Sequence, residues 1–413
     1  MKFIRIVHGV FISFMALATP SYTDEFEAYV PIQAITSDDA PHWFGYYDKQ
    51  QFDSTGRYLL GMEAPFEGKS PEADDVVQIG IIDLEENNRW TTIGESKGWN
   101  WQQGCMLQWI PGTDEIIFND RRDGKFVSVV VDRSGIEKRV LPHPIYTLSS
   151  DGKRAATLNF SRLAYTRPGY GYTGIPYTKL NAIMPNDEGV YLMDLQTGES
   201  KLIYSLKQIG ALHFQKGMDK GLNWVNHLLF NTDGTRLIFL HRWRSTPYLN
   251  SPWSTRMFTV GADGNELHLV TDHGMVSHFI WKNPTDILAW SREPNTGNRF
   301  HYYVDGSESV DVIGEGVLKR DGHCTYSPDG KWILTDTYPD KNRMQQLMLY
   351  RPRDGKLIRL GKFKLDRDKK GELRCDLHPR WNVQGTKVCI DSMHTGKRQM
   401  YLLDVENILK ENR

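Results

Sequence analysis

Along most of the chain, short apolar runs alternate with turns rich in Ser, Asn, Asp and Gly, while the 3.6-residue spacing of amphipathic helices is nearly absent. One pattern recurs: an aromatic or bulky residue, a polar turn containing Asp, Asn or Gly, then an apolar strand. Seven copies are legible, at Phe52-Asp53-Ser54-Thr55-Gly56, Trp109-Ile110-Pro111-Gly112, Leu148-Ser149-Ser150-Asp151-Gly152, Phe230-Asn231-Thr232-Asp233-Gly234, Trp281-Lys282-Asn283-Pro284, Tyr326-Ser327-Pro328-Asp329-Gly330 and Trp381-Asn382-Val383-Gln384-Gly385. Each leads into a strand such as Arg236–Leu240 or Trp332–Leu334, and then into a second strand such as Gln78–Leu84, Arg256–Gly261 or Gln346–Arg351. Two hairpins per copy make a four-stranded blade, so the spacing predicts an all-β, seven-bladed β-propeller.

The last copy ends soon after Asp404, with little chain left for a fourth strand. The segment Ala28-Tyr29-Val30-Pro31-Ile32-Gln33 is therefore expected to close the ring on the last blade, removing an open sheet edge. Stretches 160–185 and 205–222, rich in Gly, Tyr and Pro, fall outside the repeat and are expected to build a site on one face. Residues 1–23 read as a secretory signal peptide, because Lys2 and Arg5 precede an apolar run, Ile6 to Leu17, that is shorter than the ~20 residues needed to span a bilayer. Residues 24–413 then form one propeller domain, expected to be a monomer of the periplasm or medium with no membrane span.

Composition narrows the partners. With 50 Lys+Arg against 51 Asp+Glu in 413 residues, the chain has no global pull on nucleic acid, so an anionic ligand has to be met by a local basic site. Cys105, Cys324, Cys375 and Cys389 lack the paired spacing of a disulfide framework or a zinc knuckle; buried free thiols are expected, with one Cys375–Cys389 bridge left open.

Aligning the seven turns puts His227, His278, His323 and His378 at one position, near the start of the innermost strand of four blades. Any one of them could be an ordinary packed histidine. Four in one register ring the mouth of the central channel, where neutral imidazoles can converge on a divalent ion at ~2.0–2.1 Å. Imidazole-rich sites favour Zn²⁺ or Mn²⁺ over Ca²⁺.

Basic and phenolic residues lie close to these histidines in sequence: His241-Arg242-Trp243-Arg244 after the fourth copy, Arg162 after the third, and Arg167-Pro168-Gly169-Tyr170-Gly171-Tyr172 beyond it. Guanidinium offers a planar fork for carboxylate or sulfate. The alternative is that each arginine is paired or solvated on a blade surface. Glu63, Asp336 and Asp391 end inner strands and are read as orienting histidines or stabilising turns, rather than as the carboxylate pair of a glycoside hydrolase.

The runs Asn226-His227-Leu228-Leu229-Phe230-Asn231-Thr232-Asp233-Gly234, Ser277-His278-Phe279-Ile280-Trp281 and Gly322-His323-Cys324-Thr325-Tyr326-Ser327-Pro328-Asp329-Gly330 resemble the propeller polysaccharide lyases, both oligogalacturonate lyases and ulvan lyases. More distantly, the turns resemble the non-catalytic TolB-type propeller. The lyase resemblance implies β-elimination at a uronate: a cation or Arg neutralises the C5 carboxylate, a base removes the C5 proton, and an acid protonates the leaving oxygen. It implies His278, His323 and His378 as metal ligands; the glutamine that oligogalacturonate lyases add has no counterpart assigned in this chain. His227 and His241 are then expected as base or acid, Tyr146 and Tyr172 as phenolic alternatives, and Arg162 and Arg242 as carboxylate binders, with Asn226, Arg167, Tyr170 and Arg244 binding substrate. An export signal favours an extracellular, sulfated, ulvan-type polysaccharide over a short imported oligogalacturonate.

Overall fold

The computed structural model describes residues 26–412, so the expected signal peptide lies outside the described residues. Seven antiparallel sheets follow one another along the chain and form a seven-bladed β-propeller. Blade 1 spans His42–Trp43 to Arg89–Ser96, blade 2 Gln108–Trp109 to Glu137–Leu141, and blade 3 Thr147–Leu148 to Ser200–Ser205. Blade 4 runs from Asn223–Phe230 to His268–Thr271, blade 5 from Val276–Trp281 to Val310–Ile313, and blade 6 from Cys324–Tyr326 to Lys356–Lys364. Blade 7 has only Arg380–Trp381, Lys387–Ser392 and Gln399–Asp404 from its own stretch of chain; Ile32–Ala34 adds the outermost strand, with Ile32 opposite Leu403.

The repeated turns hold for identifiable reasons. In blade 4 the Asn231 amide nitrogen donates to Arg236 O at 2.9 Å, Asn231 Oδ1 accepts from Arg236 N, and Gly234 sits at φ +75°, where a Cβ would be strained. The aromatic residue that opens a turn also stitches blades together. Trp109 Nε1 donates to Gln51 O of the preceding blade, and Trp281 Nε1 donates to Leu229 O. An indole can thus bury its ring between sheets and still satisfy its only donor.

Two features depart from the repeat pattern. Phe26–Ala28 pairs with the outer strand of blade 6, Phe26 opposite Phe363, so the N-terminal segment stitches two neighbouring blades rather than one. The two insertions contain short helices: Phe160–Thr166, capped by Asn159, and Leu206–Ala211, opened by a Ser205–Gln208 capping box. The four cysteines are buried free thiols; burial raises the Cys375 thiol to about 12 and the Cys389 thiol to about 11. The Cys375–Cys389 bridge left open from sequence is not formed.

The central channel is not an open tube. The chain after the first strand of blade 1 crosses it: the Tyr46 ring lies 5.3, 6.0 and 5.0 Å from the rings of His227, His323 and His378, which belong to blades 4, 6 and 7. Tyr47 reaches blade 5, its hydroxyl donating to Phe279 O at 2.8 Å and accepting from Phe279 N at 3.1 Å. Rings from one blade can touch four others only at the axis. The entry to this segment is fixed by Asp391, which accepts from Phe44 N and Gly45 N and is paired with the buried Arg380 at 2.8 Å.

Candidate metal and substrate site

Three of the four aligned histidines stand side by side, with ring centroids 4.1 Å apart for His278 and His323 and 4.2 Å for His323 and His378. His323 Nδ1 lies 3.0 and 2.9 Å from the two Asp336 oxygens. Burial alone would lower its pKa, but the carboxylate overrides that and holds it above the ordinary value. A carboxylate on one ring nitrogen orients the other toward a ligand, the usual arrangement behind a metal-bound imidazole. Asp336 also accepts from the backbone N–H of His323 and, at 3.3 Å, of His378, fixing two blades with one side chain.

His378 sits at φ +41°, a left-handed backbone uncommon outside glycine, and its Nε2 is buried with no hydrogen-bond partner. Burial, with His323 and Arg380 nearby, pushes its pKa well below the ordinary histidine value, so it is a neutral imidazole. Two residues earlier, Asp376 brings a carboxylate to the same place. The donor atoms of His323, Asp376 and His378 all lie within 4.8 Å of one another. Burial would raise the Asp376 carboxyl; Arg374, bonded at 2.6 Å, more than offsets it and keeps the group ionised. Two imidazoles, one carboxylate and an orphaned ring nitrogen fit a small divalent cation such as Zn²⁺ or Mn²⁺. His278 stands beside this trio but outside it, with Nδ1 2.8 Å from Asp321 and Nε2 3.4 Å from the Tyr338 hydroxyl.

Asp376 was missed from sequence. The signal available was the close spacing of a second donor type, Asp376, two residues before the aligned His378.

His227 faces this group from across the channel, in van der Waals range of Tyr46 and with its ring 5.9 Å from Tyr170. It too has a left-handed backbone, at φ +51°, inside a register shift between Asn226 and Leu229. That bulge turns the His227 side chain into the channel. Burial, then the positive charge of Arg242, holds its pKa well below the ordinary value, so the ring is unprotonated and able to take a proton. Its neighbour Asn226 is fully buried with both amide atoms unpartnered.

The remaining predicted residues divide into two sets. Arg242 is buried, its Nη2 only 3.4 Å from Val276 O and its Nε without a partner; burial and the charge of Arg167 bring its pKa down to about 10, which leaves it a cation. Arg167 stacks between Tyr170 and Trp253, its guanidinium carbon 4.6 Å from each ring centre. Arg244 stacks on Trp224 and Trp253 and is anchored to the carbonyls of Ser251 and Thr166. Tyr146 touches the site from below, its hydroxyl accepting from His227 N at 3.1 Å and donating to Gln103.

The second set lies away from the channel. Both ring nitrogens of His241 are used, Nε2 by Asn223 at 3.0 Å and Nδ1 by Arg256 at 3.0 Å. Arg162 donates to the carbonyls of Asn223, Ala182 and Ile183 and faces Tyr177 and Glu188, bracing the first insertion against blade 4. Tyr172 is buried on Phe160 at 4.3 Å and accepts from Asn119 at 2.9 Å. These three side chains are spent on packing.

No family model matches the sequence, and no curated protein sequence does either. Among solved structures, the fold is shared over nearly the whole chain with lyase propellers. An oligogalacturonate lyase in complex with manganese superposes with a TM-score of 0.66 at 16% identity, covering 94% of this chain and 96% of its own. The oligogalacturonate lyase from Vibrio parahaemolyticus gives 0.63 at 14% identity, covering 94% and 97%. TolB from Acinetobacter baumannii aligns at 0.39 and 14% identity, covering 89% and 86%.

Proposed function

We propose that the protein is an exported polysaccharide lyase that cleaves a uronate-containing chain by β-elimination. The observation that carries this reading is the placing of an unprotonated, unpartnered imidazole, His227, between a set of cation donors and an uncompensated arginine, Arg242. The fold shared with two oligogalacturonate lyases, one of them bound to manganese, supports the same reading. Among the described residues no helix is long and apolar enough to cross a membrane.

The C5 proton of a uronate is weakly acidic, so its removal depends on holding the charge that builds on the adjoining carboxylate. A divalent ion held by His323, Asp376 and His378 would supply Lewis-acid stabilisation of that charge. Arg242 faces the same carboxylate with an unused Nε–H, and Asn226 offers an unused amide beside it. His227 takes the C5 proton; the C5–H electron pair forms the C4–C5 double bond as the C4–O4 bond breaks. The Tyr170 phenol, on the other side of His227, gives its proton to the departing oxygen. General acid and base groups of this kind contribute about 10²–10⁴-fold. An ulvan-type chain, uronate beside sulfated sugar, suits an exported protein with a basic site.

The test is the appearance of the 4,5-unsaturated uronate, which absorbs in the ultraviolet, on incubation with ulvan and with pectate. Absorbance rising with either polymer and lost in His227→Asn is expected. No rise with any uronate polymer, in protein that still binds one, would make this a carbohydrate-binding propeller instead.

A further inference from the structure

Most other buried or half-buried arginines near the channel or the insertions are compensated: Arg162 faces Glu188, Arg374 grips Asp376, Arg380 grips Asp391, and Arg256, without a carboxylate, spends its guanidinium on His241 and three backbone carbonyls. Arg167, Arg242 and Arg244 differ. Among the described residues none of them forms an ion pair, and burial, then the charge of Arg167, lowers the pKa of both Arg242 and Arg244. Arg242 and Arg244 are two apart on one strand, so they share a face, and both are almost wholly buried. All three leave Nε without a partner. Three cations gathered without an anion is a costly arrangement that a ligand would relieve.

One carboxylate does not use it up. Arg242 lies beside His227, where the uronate being cleaved would sit. Arg167 and Arg244 instead stack on Trp253, which is 38% exposed. A half-open indole flanked by guanidinium groups offers a sugar ring an apolar face and its anionic substituent a fork.

Resting on the lyase reading above, we propose that the Arg167, Arg244 and Trp253 shelf binds a second anionic group, carried by the sugar next to the one cleaved. The substrate is therefore an acidic polysaccharide charged on consecutive sugars. The second charge is a sulfate ester or a carboxylate, two sources with the same chemistry at the shelf.

The experiment uses titration calorimetry on the His227→Asn protein, in which turnover is too slow to consume the probes during a titration. Three probes are compared: a disaccharide of uronate and neutral sugar, the same disaccharide sulfated on the neutral sugar, and digalacturonate. The doubly charged probes are expected to bind about tenfold tighter than the singly charged one. Adding Arg167→Gln and Arg244→Gln should bring the ratio close to one while the singly charged probe keeps its affinity. Should Arg244→Gln not fold, Arg167→Gln alone decides, since that side chain only stacks on rings. Equal affinity for all three probes, or a preference that survives loss of Arg167, overturns the proposal. A preference for one doubly charged probe alone identifies sulfate or carboxylate as the source. The two readings fail separately: preference without unsaturated product from the wild-type protein removes the lyase and keeps the shelf, and turnover without preference does the reverse.

Discussion

The two sides of the channel mouth treat charge in opposite ways. On blades 5 to 7 most of the histidines and arginines near the axis have an acidic partner, His278 with Asp321, His323 with Asp336 and Arg374 with Asp376, while the His378 ring is left without one. On the side of blades 3 and 4, Asn226, Arg167, Arg242 and Arg244 have no acidic partner among the described residues, and each retains an unpartnered polar atom. On the proposed reading the compensated side would hold a cation and the uncompensated side anions. His227 stands where they meet, so a bound uronate would bridge the two halves and place its C5 proton against the base. Neither half alone would distinguish an acidic sugar from any other anion or any other metal ligand.

The comparison breaks most sharply at the junction. His227→Asn keeps a residue that tolerates the left-handed backbone, so the bulge should persist while turnover falls by about 10²–10⁴-fold. Metal content, measured on the same preparation, should be unchanged. Loss of metal along with activity would instead make His227 part of the cation site.

The compensated side is probed through Asp336, which orients His323 from outside the proposed ligand set. Asp336→Asn should weaken divalent metal affinity by about 10–100-fold, read by competition with a chelating dye. If affinity is unaffected, the carboxylate serves blade packing only.

Arg162 offers a control outside the site. Arg162→Met strands the buried carbonyls of Asn223, Ala182 and Ile183 and leaves Glu188 to Tyr177 and Lys179, and is expected to cost about 3–5 kcal/mol in chemical unfolding while leaving KM unchanged in the folded fraction. A raised KM with normal stability would return Arg162 to the substrate site.

The smallest effect is a pH dependence remote from the channel. His241 is buried with both nitrogens engaged, and burial holds its pKa well below the ordinary value near 6.5. Below that pH the unfolded chain binds a proton that the folded chain does not, so stability falls as pH drops through 6.5. The slope is about 1.4 kcal/mol per pH unit for one such group. Unfolding midpoints at successive pH values should show a shallower slope in His241→Gln. An identical slope would assign the dependence to other groups.

The fold could be read from sequence because the turn chemistry is periodic: an Asp-Gly or Asn-x-x-Gly corner has few conformations, and seven corners at regular spacing leave few architectures. The same periodicity exposed the histidine register, since residues equidistant from equivalent corners occupy equivalent places around the axis. What the repeat does not encode stayed hidden. The segment from Gly45 through Gln51 fills the channel without belonging to any repeat, so Tyr46 and Tyr47 gave no signal. Asp376 lies on a stretch where its blade's pattern is interrupted. Arg162 and Arg242 look alike in sequence; only packing shows that one meets a row of carbonyls and the other meets nothing. Asp336 and Asp391, read as orienting groups, do hold His323 and Arg380.

The double stitch by Phe26–Ala28 and Ile32–Ala34 has a kinetic consequence. Both partners, Lys356–Lys364 and Gln399–Asp404, lie near the far end of the chain, so the pairings of highest sequence separation form last and await completed synthesis. Until then two sheet margins stay uncovered, and the nascent protein is most vulnerable to self-association in that interval.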